Sequence, residues 1–251
     1  MRGLWKLTVI EFKLFLREPE AFFFTLIFPL VMLFVFGSIY GNDPRDYFGG
    51  FGMVDFSVPA YIGLVIAVAG LMNLPIGVAF DREKGVLRRL RATPAKASTI
   101  LTAWVGVYFL ATVIGAFLLI IFGKLVYGLR FGGNGWWVLF MFILGTFSMF
   151  AFGFIIASVA KTGRTASVIG MVLFFPMIFF SGATIPWSQL PDTVQTIGNA
   201  MPLTYIVRVL QGLWLGDPIS VHLESIGILV GILVLGVAIS ARLFRWESEQ
   251  Q

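Results

Sequence analysis

The chain has 251 residues, of which 58% are apolar and only 12% charged, against about 25% charged in an average soluble domain. The mean hydropathy of +0.92 and the 27 phenylalanines exclude a disordered chain, which needs few apolar residues, and a soluble globular fold, whose core has no room for so much apolar surface. The net charge of +5 sits in discrete loops and is read as membrane topology, not as a nucleic-acid footprint, while zero cysteines exclude a disulfide framework, a thiolate metal site and a cysteine nucleophile.

At about 20 residues per span, a chain of this length holds roughly six membrane helices and leaves no room for a soluble enzyme domain. Residues 1–18 come first. At about 100° per residue, Arg2, Lys6, Lys13 and Arg17 fall within about 60° of one another, beside a face of Trp5, Val9, Phe12 and Leu16. That pattern predicts an amphipathic helix lying in the membrane interface, stopped by Pro19. Cations ahead of an apolar run also mark a signal peptide. The run here is about 20 residues, beyond the ~7–15 of a signal core, and no small-x-small site follows it, so a retained helix is expected.

Residues 19–251 read as one six-helix transmembrane domain. The predicted spans are 21–40, 57–80, 99–125, 135–160, 165–183 and 223–243, each long enough for ~30 Å of hydrocarbon. Fourteen of the 18 Lys and Arg fall before span one, after span two, after span four and at or beyond the C-terminal end of span six. The positive-inside rule therefore places both termini in the cytoplasm.

The span interiors carry almost no ionisable residue; Asp81, Lys124 and the single histidine, His222, lie at boundaries. Buried charge marks proton relays and ion-coupling sites, so its scarcity disfavours a secondary transporter and an intramembrane protease. No serine elbow, H-E-x-x-H or Walker A loop occurs: Gly123-Lys124 continues into Leu125. No catalytic residue and no metal site is expected. If ATP drives this protein, another polypeptide hydrolyses it. In span two, Asn73 is the one strongly polar deep side chain; it reads either as a substrate or gate residue or as an interhelical hydrogen-bonding one. Pro29, Pro75 and Pro176 are candidate flex points.

The loop 81–98 follows span two. From Asp81 to Pro94 it places Val86, Leu87 and Leu90 on one small apolar face, covers much of the rest with Arg88, Arg89 and Arg91, and stops at Pro94. A helix of two turns is not stable alone, which points to a docking element held by a neighbour. Between spans five and six, residues 184–216 are too apolar for a solvated loop and too interrupted by Pro186, Pro191 and Pro202 for a span. A pair of short helices dipping back from the outer surface is expected, since irregular backbone at membrane depth must be shielded by protein or face water. Arg208 there reads as a snorkelling cation or a salt-bridge partner.

The run Glu83-Lys84-Gly85-Val86-Leu87-Arg88-Arg89-Leu90-Arg91-Ala92-Thr93-Pro94 resembles the E-[RK]-G-x-x-[ER]-x-L-x-x-[ST]-P loop of ABC-2-type transporter permeases, and Ser181-Gly182 to Pro186, Leu190-Pro191, Met201-Pro202-Leu203-Thr204-Tyr205 and Arg208 resemble that family's extracellular hairpin signature. With their short loops, the segments look most like the small drug and antibiotic exporter and nodulation-factor permeases. The resemblance implies an all-α membrane protein: an N-terminal interfacial helix, six transmembrane helices, a cytoplasmic coupling helix and an extracellular re-entrant hairpin. It implies ATPase coupling through Glu83, Lys84, Gly85, Val86, Leu87, Arg88, Arg89, Leu90 and Pro94, and a hairpin containing Pro186, Pro191, Pro202, Tyr205 and Arg208. It also implies a pathway along spans one, two and five, which here carry Phe28, Asn73, Phe174, Phe175 and Phe179.

The implied partners are two copies of a separate ATPase subunit that binds ATP and Mg, a second permease copy (the same chain or a homologous permease) and membrane lipids, with no nucleic acid and no cofactor in this chain. The expected location is the plasma membrane of a prokaryote. The expected function is export of an amphiphilic or lipid-like compound. The alternatives are a non-transporting membrane scaffold or sensor subunit and a secondary transporter.

Overall fold

The structure is a computed structural model that describes residues 12–13, 15–86 and 97–243. Among the described residues every regular element is helical. In chain order the helices are α1 (Pro19–Tyr40), α2 (Met53–Glu83), α3 (Ala97–Tyr127), α4 (Gly135–Val159), α5 (Gly163–Phe180), α6 (Asp192–Gly198), α7 (Pro202–Leu215) and α8 (Leu223–Leu243). Among the described residues six segments are long and apolar enough to cross a membrane: α1, α2, α4, α5, the 101–127 part of α3, and α8 with the turn before it. Helix is the expected answer in lipid, where each backbone N–H and C=O must find its partner within the segment.

Helix α2 is the central post. Its most apolar stretch is 89% buried, against 11% for α8 at the periphery. The first half of α2 packs on α3 and α7, and its second half on α4 and α5. Helix α8 lies along α4 and turns Val234 and Leu235 outward. Close approach comes from small residues, as in membrane bundles generally. Where α2 crosses α4, a Cβ on Gly153 would overlap the Gly70 carbonyl oxygen, and one on Gly70 would press on Met149.

Helix α2 is longer than its apolar pattern predicts. The 57–80 expectation stops short at both ends, because the helix takes in Asp55 and Arg82, both buried. The scarcity of charge in the spans is thus corrected at the two ends of α2. Each charge is kept there by hydrogen bonds made across the fold, which hydropathy does not register. Leu87, Arg88, Arg89, Leu90 and Pro94, expected to couple to an ATPase, lie outside the described residues, as do 1–11 of the expected interfacial helix.

Between α5 and α8, residues 184–216 fold as a short 3-10 turn at Trp187–Gln189, then α6, then α7. Helix α7 is amphipathic. Leu203, Ile206, Val207, Leu210 and Trp214 are buried against α2 and α4. Below, "hairpin end" means the end of the bundle that carries α6 and α7, and "loop end" the end where α2 stops and α3 begins.

Candidate functional site

At the loop end, three consecutive motif residues have separate jobs. Glu83 closes α2, and its Oε2 accepts the Gly163 N–H at 2.9 Å. That N–H is one of the unpaired donors at the start of α5, where negative charge is also favoured by the helix dipole. Thr162 completes the cap, its Oγ1 accepting from Thr165 N at 3.1 Å. Lys84 lays its ammonium over the Phe80 ring, 4.0 Å from the centroid. Gly85 has φ +67°, the left-handed conformation that ends helices and that a side chain resists. One residue earlier, the Arg82 guanidinium donates to the Ala160 carbonyl. Arg82 and Glu83 together staple the end of α2 to the α4–α5 connection.

Beside this junction lies a cavity of about 120 Å³ lined by Phe15, Glu18, Asp81, Trp104 and Tyr108 among others. Phe15 is buried there, edge-on to Tyr108 at 6.4 Å. The expected apolar face of the first helix was Trp5, Val9, Phe12 and Leu16. Phe12 packs against this cluster, stacked on Phe15, while Leu16 is exposed and the buried anchor is Phe15. Trp5 and Val9 lie outside the described residues. Burial, then the charges of Asp81 and Glu20, raise the Glu18 carboxyl above its ordinary range.

At mid-depth, α1 and α2 share one irregularity. Phe23–Ile27 and Val68–Asn73 are π-helical, closed by Phe28 N–H to Phe23 O and Leu74 N–H to Ala69 O. Each is followed by a proline, Pro29 or Pro75. Proline has no N–H and its ring collides with the carbonyl four residues back, here Thr25 or Leu71. The π turn widens the ladder just before the collision. Both freed carbonyls are covered by glycines of other helices: a Cβ on Gly115 would sit 3.3 Å from Thr25 O, and one on Gly170 2.5 Å from Leu71 O. Pro176 sits inside α5 without a π segment.

Asn73 joins the two irregularities. Its Nδ2 donates to Thr25 Oγ1 at 2.6 Å, buried, so the amide binds within one chain. Such bonds between membrane helices average about 0.6 kcal/mol and reach about 1.7. A double-mutant cycle of Asn73→Leu and Thr25→Val, read by unfolding in detergent, is expected to give a coupling of about 1 kcal/mol; additive effects would show that the bond is not made. The aromatic pathway candidates separate. Phe174 is in the core, Phe28 is half-buried, and Phe175 and Phe179 are exposed.

At the hairpin end, Arg208 stacks on Trp187, 3.6 Å from the ring centroid. Among the described residues no carboxylate comes within ion-pair distance of it. Tyr205 OH donates to Asn199 O at 2.5 Å and Thr204 Oγ1 to Gly198 O at 2.6 Å, tying α7 back to α6. Pro186, Pro191 and Pro202 each immediately precede or open a helical turn, positions that suit a fixed φ and a missing N–H.

Sequence reasoning passed over the densest polar cluster. Asp55 is wholly buried. Its Oδ1 accepts from Asn42 Nδ2 (2.9 Å) and Arg130 N (2.8 Å), and its Oδ2 from Gly52 N and Arg130 Nε, both at 2.9 Å. Asn42 Oδ1 in turn caps α2 by accepting from Val54 N and Asp55 N, both at 3.1 Å. This clasp ties the α1–α2 loop to the α3–α4 loop. The available signal was a lone Asp just ahead of an apolar run, a common helix-start residue that names no partner.

A family model described as ABC-2 type transporter matches residues 2–215. The chain is 24% identical over 168 residues to the probable multidrug ABC transporter permease YbhR of Escherichia coli K12, covering 64% of this chain and 44% of that protein. It thus spans less than half the length of that relative. It is 23% identical over 209 residues to the putative transport permease YvfS of Bacillus subtilis, covering 80% of this chain and 81% of that one. Nodulation protein J of Rhizobium leguminosarum is 36% identical over 70 residues, covering 28% of this chain and 27% of that one.

Proposed function

The chain belongs to the ABC-2 type transporter family, and from that premise we propose that it is the permease subunit of an ATP-driven exporter of amphiphilic or lipid-like compounds. Two permease copies form the conduit, each served by a separate ATPase chain, and both termini and the loop end face the cytoplasm. Relatives named as multidrug and nodulation permeases support a cargo of this kind. So does the composition of the spans, since a bare ion or a sugar would need fixed polar partners that these apolar helices do not offer.

The observation that carries the mechanism is the double link from α2 to the α4–α5 connection through Arg82 and Glu83. A force applied to the segment beginning at Glu83 moves the start of α5 together with the end of α2. The π segments of α1 and α2 then supply the places where those helices bend, because a widened turn has fewer well-aligned hydrogen bonds to lose. The permease needs no catalytic group for this; rigid-body gating is driven from outside.

The test is co-purification with an ATPase subunit, followed by ATP-dependent uptake of a fluorescent amphiphile into inside-out vesicles. Glu83→Ala removes the charge-assisted acceptor of the Gly163 N–H, worth about 1.5–3 kcal/mol, so uptake is expected to fall about tenfold or more with the complex intact. Wild-type uptake by Glu83→Ala would remove the link from the path. A chain that recruits no ATPase would end the exporter reading.

A further inference from the structure

A second cavity of about 780 Å³ lies between α3, α4 and α7, with Ile62 of α2 in its wall. It is within the 300–1,000 Å³ usual for small-molecule sites. Its walls are apolar: Phe109, Ala116 and Ile120 of α3, Phe142 of α4, and Leu210 and Trp214 of α7. Among the described residues Lys124 is the one charged side chain in the lining. From Phe109 to Lys124 the slot follows α3 for about 22 Å, more than the ~15 Å of hydrocarbon in one leaflet. It opens sideways, toward the surface on which Phe117 and Leu139 are exposed.

The hairpin-end rim is built and held. Trp214 Nε1 donates to Arg130 O at 3.0 Å, and Phe131 stands edge-on to Trp214 at 4.9 Å. Lys124 Nζ donates to Leu129 O at 3.2 Å; its two other protons have no partner among the described residues. Trp136 and Trp137 are exposed in the first turn of α4, the position that aromatic residues take at headgroup level.

We infer that this slot is a binding site for an anionic glycerophospholipid of the hairpin-end leaflet, with one acyl chain between α3 and α4 and the phosphate on Lys124. The chemistry follows from the shape. A narrow apolar slot as deep as a leaflet fits a chain, and a single ammonium at headgroup level selects a net negative head over a zwitterionic one. The site meets α2 only at Ile62 and has no lining residue from α1 or α5 among the described residues, so it does not rest on the exporter reading.

The test uses the full chain in nanodiscs of phosphatidylcholine and phosphatidylglycerol, with a trace of either lipid carrying a photoreactive group on its acyl chain. Adducts are mapped by peptide mass spectrometry. Phosphatidylglycerol adducts are expected to concentrate on 109–120 and 139–142 over the exposed face of α8 at Val230 and Val234. Lys124→Gln is expected to lower phosphatidylglycerol labelling there by about fivefold and to leave phosphatidylcholine labelling unchanged. Competition with unlabelled phosphatidylglycerol gives the same reading without a variant. Equal labelling by both lipids, labelling of α8 as strong as the slot, or a slot that takes no lipid would each overturn the proposal.

Discussion

Asp55→Ala is expected to cost about 3–5 kcal/mol of folding stability, the range for breaking a buried charge pair by removing one partner. The loss exceeds that of the ion pair itself. Asp55 receives the Gly52 and Arg130 backbone N–H groups and the Asn42 amide as well as the Arg130 guanidinium, and each becomes an unsatisfied donor. Arg130→Met is expected to cost less. The Arg130 side chain is 36% exposed, and Asp55 keeps three of its donors without it. A double variant, Asp55→Leu with Arg130→Met, is expected to recover part of the Asp55→Ala loss, because it fills the cavity with apolar atoms and removes the guanidinium left without its carboxylate, while the Gly52, Arg130 and Asn42 N–H donors stay unpaired. Thermal unfolding of the detergent-purified chain orders the three. Equal losses for Asp55→Ala and Arg130→Met would show that the guanidinium, not the clustered donors, sets the energy.

Gly153→Ala is expected to cost about 1–3 kcal/mol, the range for overpacking a filled core. A Cβ there overlaps backbone, the Gly70 carbonyl oxygen of α2, and cannot be absorbed by a side-chain rotation. Helices α2 and α4 must separate, at the depth where α2 is already π-helical. Loss of folded yield and of transport is therefore expected together. Gly231→Ala on α8 is the control, because nothing lies within 4 Å of its added Cβ. It is expected to be neutral or, in a helix, mildly stabilising. A Gly153→Ala chain as stable as Gly231→Ala would mean that α2 and α4 do not cross this closely.

Much of the fold is legible one segment at a time. Apolar runs of about 20 residues, the prolines at 186, 191 and 202, and the Glu83-Lys84-Gly85 run all lie where local chemistry can be read. The broken hairpin follows from that local reading; the helix stop at Gly85 does not, since the stop expected there was Pro94. The π segments do not. Pro29 and Pro75 announce trouble in the ladder, but a kink, a break or a widened turn all answer it. The answer depends on Gly115 and Gly170 arriving from other helices to cover the freed carbonyls. The role of Glu83 was assigned to a partner protein by resemblance. Its observed bond is to Gly163, 80 residues away, and no spacing rule reaches that far.

By itself the sequence determined the solvent, the number of spans and the family, because a bilayer imposes its demand residue by residue along each helix. Hydropathy, turn chemistry and a short motif are all local quantities. The tertiary structure alone decided which polar groups meet: Asp55 with Asn42 and Arg130, Asn73 with Thr25, Glu83 with the start of α5. In an apolar medium a few polar groups must find one another or stay unsatisfied at high cost, and the partners that answer them stand on other helices.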